Sequence, residues 1–284
     1  MTEHCSICGQ DQWLPRPGRL RDAPDVGVVQ CGECGVVVPE QEHPITIDYT
    51  SGSMFPGGPP DFAALRARGL TDSTRRIDTL GSSIHGKTVL DVGCGAGGFL
   101  SLLDNGVANL GIEVDAAARA YCLASGLEVA GDLEEIPGYR RAEVQVLTLF
   151  HVLEHIPDPE PFLQSLLTSL PEVEQIIIEV PSAEDPLLTL LFNEPFSRFT
   201  YWSHHSHLHT QRSLTHVLSK VSSNVHVQRV QRYGLPNHLG WLREGQPGGD
   251  VRYPWAADPA LDDPYRAALL AQGCSDTLWA TVSR

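Results

Sequence analysis

Three groups of residues in this 284-residue chain have the types and spacing to do chemistry. The first is VLDVGCGAGGFL, Val89 to Leu100. Val89 to Val92 reads as a buried parallel strand, which Gly93, Gly95, Gly97 and Gly98 break into a tight turn where main chain can approach a flat nucleoside. Gly93, Gly95 and Gly98 satisfy the G-x-G-x-x-G spacing that seats a pyrophosphate on a helix N-terminus. Asp91 argues for a different ligand. A carboxylate two residues ahead of the turn repels a pyrophosphate and attracts the ammonium end of an amino-acid-bearing nucleoside. The second group is Cys5, Cys8, Cys31 and Cys34, two C-x2-C-G pairs at ribbon spacing. Four thiolates suit a tetrahedral zinc, and such a closed site folds a short segment and leaves no position for chemistry. The third is a stretch carrying His204, His205, His207 and His209 beside Tyr201 and Trp202. Three roles are open to it: a general base, a metal site that acidifies a hydroxyl, or the wall of a pocket. His205 and His207 are the first candidates for the base.

The glycine turn resembles the first motif of the class I S-adenosylmethionine-dependent methyltransferases, D/E-x-G-x-G-x-G, matched by Asp91, Gly93, Gly95 and Gly97. The resemblance implies further positions. Glu113 closes the second strand, where a carboxylate accepts hydrogen bonds from a ribose diol. Asp132 and Leu133, in GDLEEIP, follow the third strand, where the family places an acid on the adenine amino group. A fourth strand, Val144 to Leu149, runs into FHVLEHIPDP, close to the post-strand segment of many small-molecule methyltransferases and absent from dinucleotide dehydrogenases. His151 is thereby expected in the cofactor pocket and counted among the catalytic candidates. His151, Glu154 and His155 also spell the H-x-x-E-H of inverted zinc peptidases. Pro157 ends the segment instead of letting a peptidase helix continue, so Glu154 and His155 are expected to cap and pack the turn. The H-x-H-L-x-T-x-x-S-L pattern of the histidine stretch resembles C- and O-methyltransferases acting on sugars and natural products. The implied reaction is in-line transfer of a methyl group from S-adenosylmethionine to a small-molecule acceptor, with a histidine as base and zinc as a structural ion. An RNA or protein methyltransferase guided by the ribbon, and a non-enzymatic adenosylmethionine-binding protein, are the alternatives.

The elements that must position these groups follow from pattern. Strands alternate with helices from Lys87 to Ser182, which predicts an α/β, doubly wound, Rossmann-like sheet. By resemblance the sheet has seven strands, with DTLWATVSR, Asp276 to Arg284, as the last and antiparallel one. Residues 1–45 form the zinc ribbon. Residues 46–60, rich in Gly, Pro and Ser, form a linker or lid in which Tyr49 and Met54 are ligand candidates. Residues 61–284 form the methyltransferase domain, with a substrate-side insertion near 190–212. Helical spacing over Asp61 to Leu80 predicts a helix covering the site entrance, and GFLSLLDNG reads as a short helix after the turn. Gln211 to Ser222 is predicted as an amphipathic helix and NVHVQRVQRY as a strand. The following segment reads as a substrate-side loop in which Asn237, His238 and Trp241 either touch the acceptor or pack. Cys94, Cys122 and Cys274 read as small core residues.

Composition excludes several partners. The formal net charge is −15 with Lys87 and Lys220 the only lysines, so a polyanion is repelled and nucleic acid is disfavoured. The ribbon itself is acidic. No apolar run reaches membrane-spanning length, and the N-terminal residues lack the pattern of a signal peptide, so a cytoplasmic protein without a membrane partner is expected. A small-molecule substrate and a homo-oligomer are both compatible with this composition.

Overall fold

A computed structural model describes residues 4–40, 58–103 and 108–284. The linker or lid expected at 46–60, with Tyr49 and Met54, lies outside the described residues except for its last three positions.

The N-terminal segment forms a three-stranded antiparallel sheet of β1 (Trp13–Arg19), β2 (Gly27–Cys31) and β3 (Val37–Pro39). A larger mixed sheet has the order β6-β5-β4-β7-β8-β10-β9. Its strands are β4 (Thr88–Val92), β5 (Ala108–Ile112), β6 (Val129–Ala130), β7 (Val144–Phe150), β8 (Gln175–Pro181), β9 (Asn224–Val230) and β10 (Thr277–Ser283). β4 pairs in parallel with β5 and β7, and β5 with β6. Val144, Val146, Leu147, Leu149 and Ile176 to Ile178 are buried to within 1%. Such unbroken apolar runs are what a parallel sheet needs when both faces are covered.

The helices are α1 (Phe62–Leu80), α2 (Ala116–Ala124), α3 (Gly138–Arg141), α4 (Pro159–Ser169), α5 (Pro186–Thr189), α6 (Glu194–Thr200), α7 (Gln211–Leu218), α8 (Leu235–Glu244), α9 (Gly249–Arg252) and α10 (Pro259–Ala271). Asp61 caps α1 by accepting from the Ala64 amide, and Asp115 caps α2 by accepting from the Ala118 amide. Thr210 and Ser213 form a reciprocal capping box on α7.

Two expectations are corrected. In the described part of GFLSLLDNG, residues 98–103, the segment after the glycine turn forms a 3-10 turn, Leu100–Leu102, and no α-helix, the preceding glycines being poor helix formers. The expected substrate-side loop is instead helix α8, with Pro236 in its first turn and Gly245 in left-handed conformation at its end.

The chain divides into two compact units. One comprises Met1–Ile45, Leu153–Glu160 and Glu179–Ala280. Within it, Leu20, Val26, Val28 and Val37 of the ribbon share one core with Ala183, Leu188, Tyr201 and Leu208. Val37 and Leu208 exchange backbone hydrogen bonds of 2.9 and 2.8 Å, and the Thr210 hydroxyl donates to the Cys34 carbonyl at 2.7 Å. The ribbon is thus built into the residue 190–212 insertion, sharing its hydrophobic burial. The other unit comprises Thr46–Val152, Pro161–Ile178 and Thr281–Arg284, and holds the glycine turn. Among the described residues, no helix is long and apolar enough to cross a membrane.

Candidate functional site

In the second unit, β4 delivers Asp91 to the interior, where 2% of it is exposed. The Thr148 hydroxyl of β7 donates to its Oδ1 at 2.7 Å. Burial pushes this carboxyl up to about 7; the Thr148 bond and the Arg76 charge oppose the rise, and Glu113 adds to it. Gly93, Gly95 and Gly97 follow with φ of 72°, 55° and 72°. A Cβ on Gly93 would stand 2.5 Å from Val152 Cγ2, and one on Gly97 would run into Leu127. On Gly95 it would meet nothing within 4 Å. Gly95 therefore borders open space, a cradle for a thin ligand lying against main chain.

Glu113, at the end of β5, braces this cradle. Its Oε2 accepts from the Gly95 amide and its Oε1 from the Asp115 amide, both at 2.8 Å, while burial raises its pKa. Each oxygen keeps a second lone pair for a hydroxyl donor. Helix α1 is tied to the turn: Arg66 Nε donates to the Ala96 carbonyl at 2.6 Å and its guanidinium lies 4.6 Å over the Tyr121 ring. His151, one residue past β7, has φ +59°, a left-handed conformation that costs a non-glycine residue about 1 kcal/mol. Asp132 is exposed and turns back on its own loop, accepting from the Glu135 amide at 2.9 Å, while Leu133 is buried. Arg66, Arg76 and Thr148 were not singled out from sequence. Thr148 alone carried a signal, as a polar residue inside the apolar run VLTLF.

In the first unit, the four cysteine sulfurs lie within 4.8 Å of one another, with Cys5 to Cys34 at 3.7 Å and Cys8 to Cys31 at 3.5 Å. A tetrahedral zinc with bonds of about 2.3 Å sets sulfurs roughly 3.8 Å apart, so the donor set and its size fit the ion. The Cys34 thiol hydrogen-bonds to Cys5 and lowers it to about 5, and the same contact with burial raises Cys34.

The histidines divide by burial. His207 is 3% exposed, with Nε2 3.0 Å from the Ser6 hydroxyl, and burial lowers it to about 4. His209 is fully buried against Ser213 and lowered to about 3. His204 stacks on Trp202 at 3.8 Å, with the Arg21 guanidinium 4.1 Å over the same indole. His205 is half-buried and donates Nδ1–H to the Thr200 carbonyl at 3.0 Å. Of the two candidates for a base, His205 is the accessible one; His207 is enclosed and holds the ribbon through Ser6. A carboxylate oxygen of Glu154 and a ring nitrogen each of His155 and His205 lie within 4.8 Å of one another. The H-x-x-E-H spacing was the signal for this group, yet its third member is His205 instead of His151. His238 and Trp241 are packing residues, bonded to the Tyr265 hydroxyl and wedged against Phe196 and Phe199 respectively.

A cavity of about 630 Å³ borders the ribbon and brings Arg16, Arg19, Arg21 and Arg198 together. Arg16 is spent on Tyr201, Gln30 and the Ala183 carbonyl, and Arg198 on Glu194. With Glu40 and Glu194 in the same lining, the cavity is no anion site.

The sheet order, the glycine turn leaving β4, the buried acid on that strand and the acid ending β5 define the Rossmann-like methyltransferase fold. Residues 62–225 match a family model described as a methyltransferase domain, and the chain belongs to that family. A ubiquinone biosynthesis O-methyltransferase of Serratia proteamaculans is 41% identical over 85 residues, which cover 27% of this chain and 35% of that protein. The corresponding protein of Pseudomonas paraeruginosa is 42% identical over 89 residues, covering 28% and 37%. The chain thus spans about a third of the length of the curated relatives it matches. Among solved structures, a SAM-dependent methyltransferase from Archaeoglobus fulgidus superimposes with a TM-score of 0.48 at 16% identity, covering 79% of this chain and 95% of the other.

Proposed function

We propose that this chain transfers a methyl group from S-adenosylmethionine to a small-molecule acceptor of the sugar or natural-product kind, with a structural zinc in its ribbon. One observation carries the reading: open space over Gly95 stands beside a buried carboxyl, Asp91, that burial has pushed up to about 7. A ligand suited to that place lies flat against main chain and brings a positive charge. Bound S-adenosylmethionine supplies a methyl carried on a sulfonium, whose charge is lost on transfer. Asp91 takes the ammonium end, and the spare lone pairs of Glu113 take the ribose diol. Asp132 and Leu133 border the adenine, and His151 lines the pocket. For the acceptor's proton we assign His205 as the base that takes it, since its Nδ1 donates to the Thr200 carbonyl and Nε2 is the ring nitrogen able to accept. The names of the matched relatives support an oxygen acceptor on a small molecule, and the net charge of −15 supports a substrate that is not a polyanion.

The test is calorimetric titration with S-adenosylmethionine and, separately, with a nicotinamide dinucleotide. Binding of the first, weakened at least about tenfold by Asp91→Ala, is expected. Binding of the dinucleotide alone overturns the reading.

A further inference from the structure

Glu154 and His155 stand on the turn after β7, about fifty residues before His205, yet the fold gathers the three. The His155 and His205 rings are 5.0 Å apart, and both side chains are half-buried, while Glu154 is 1% exposed. Each ring is aimed by backbone. His155 Nδ1–H donates to the His204 carbonyl at 2.8 Å, and His205 Nδ1–H to the Thr200 carbonyl at 3.0 Å. A carbonyl can only accept, so both Nδ1 atoms carry the proton, and in the neutral imidazoles Nε2 is the nitrogen that can bind a metal. This is the arrangement found around metal-ligating histidines, where the distal N–H fixes tautomer and ring orientation. The His204 ring stacks on Trp202, and the His207 amide donates to the Glu154 main-chain carbonyl at 3.2 Å.

We infer that Glu154, His155 and His205 form a second metal site, distinct from the four cysteines, which binds one divalent transition cation through a carboxylate oxygen and two imidazole nitrogens. The donor set decides the class of ion. Two imidazoles and one carboxylate suit Zn²⁺, Mn²⁺, Co²⁺ or Ni²⁺, whereas Mg²⁺ and Ca²⁺ prefer oxygen donors alone. The present span of up to 4.8 Å closes to the roughly 3 to 4 Å separation of cis ligands by small side-chain rotations, since bonds to such ions are about 2.0–2.2 Å. Three protein donors leave open coordination positions, the mark of a site that takes water or a ligand oxygen in addition. This deepens the acceptor-side reading and rests on it only for its purpose. With an ion bound, Glu154, His155 and His205 would hold it, and it would supply Lewis acidity that makes a hydroxyl easier to deprotonate, the proton passing to solvent. Without the ion, the same Nε2 is the base.

The test is equilibrium dialysis of the full chain, its cysteine site filled with zinc, against micromolar Zn²⁺ and then Mn²⁺, with bound metal counted by elemental analysis. The wild-type chain is expected to hold one ion beyond the cysteine-bound zinc. Glu154→Gln and His205→Ala should each weaken that extra ion at least tenfold while keeping the cysteine zinc. His205→Gln, which keeps side-chain bulk, decides the matter if the alanine variant loses the cysteine zinc by unfolding. A wild-type chain that holds only the cysteine zinc, or variants that keep the extra ion, overturns the inference. S-adenosylmethionine titration of the wild-type chain separates the two readings: a chain that binds the nucleoside but no extra metal refutes the metal site alone, and one that holds the extra metal but binds no nucleoside refutes the donor site alone.

Discussion

Replacing Gly95 with alanine should separate folding from cofactor binding. Gly95 has φ +55°, where a Cβ costs about 1–2 kcal/mol. The added methyl meets no atom within 4 Å, so no clash adds to that cost. For a chain of this size the loss corresponds to a fall in Tm of about 2–8 °C, leaving a folded protein at room temperature. The methyl nevertheless fills the space assigned to the nucleoside. Overpacking a fitted contact by one methyl costs about 1–3 kcal/mol, so Kd for S-adenosylmethionine should rise about 5- to 150-fold. Gly93→Ala has the same backbone cost plus a 2.5 Å approach to Val152, and should lose more stability. Thermal melting and calorimetric titration of the two variants read both quantities. If Gly95→Ala melts as expected but binds S-adenosylmethionine like the wild type, the cradle is not where the cofactor lies.

Asp91 sits at about 7 when buried without ligand, so it is largely protonated at pH 6 and must ionise to face a cation. Kd for S-adenosylmethionine should therefore rise by up to about tenfold per unit as pH falls below 7, and this slope should vanish in Asp91→Asn. The sign for stability runs the other way. Because the folded value lies above the ordinary 3.8, the ligand-free fold binds more protons than the unfolded chain and loses stability as pH rises from about 4 to about 7; Tm of wild type relative to Asp91→Asn should decline over that window. His205→Ala should reduce turnover by about 10²- to 10⁴-fold with cofactor affinity unchanged, and equal loss of both would refute an acceptor-side role. Removing zinc with a chelator should expose the amides of both Val37 and Leu208 to hydrogen exchange, since each bonds the other and their side chains share one core. Retained protection at Leu208 would show that the metal does not support the insertion.

The glycine turn was readable in the chain because its determinants are local. A glycine at positive φ, an acid two residues before it and a strand of β-branched and leucine residues lie within ten positions, and backbone sterics alone make them a turn. The C-x2-C pairs were readable for the same reason: each pair fixes two sulfurs by spacing alone. Pro236 and Gly245 did mark the ends of α8, but proline and glycine are equally the signature of loops, and only packing of Trp241 against Phe196 and Phe199 decided for a helix.

The histidine stretch was not readable in the same way. His204 and His205 are adjacent and His207 and His209 follow at alternate positions, and nothing in that spacing says which is enclosed. The ribbon decided it, since Ser6 reaches His207 and Val37 pairs with Leu208, closing over one side of the stretch and leaving His205 half-exposed. Glu154 and His155 lie too far along the chain for any helical or strand period to join them to His205. Residue order therefore specified the glycine turn and the cysteine pairs, whose geometry depends on neighbours in the chain, while the tertiary fold alone selected the accessible histidine and its two companions, because burial and proximity arise only when distant segments share a core.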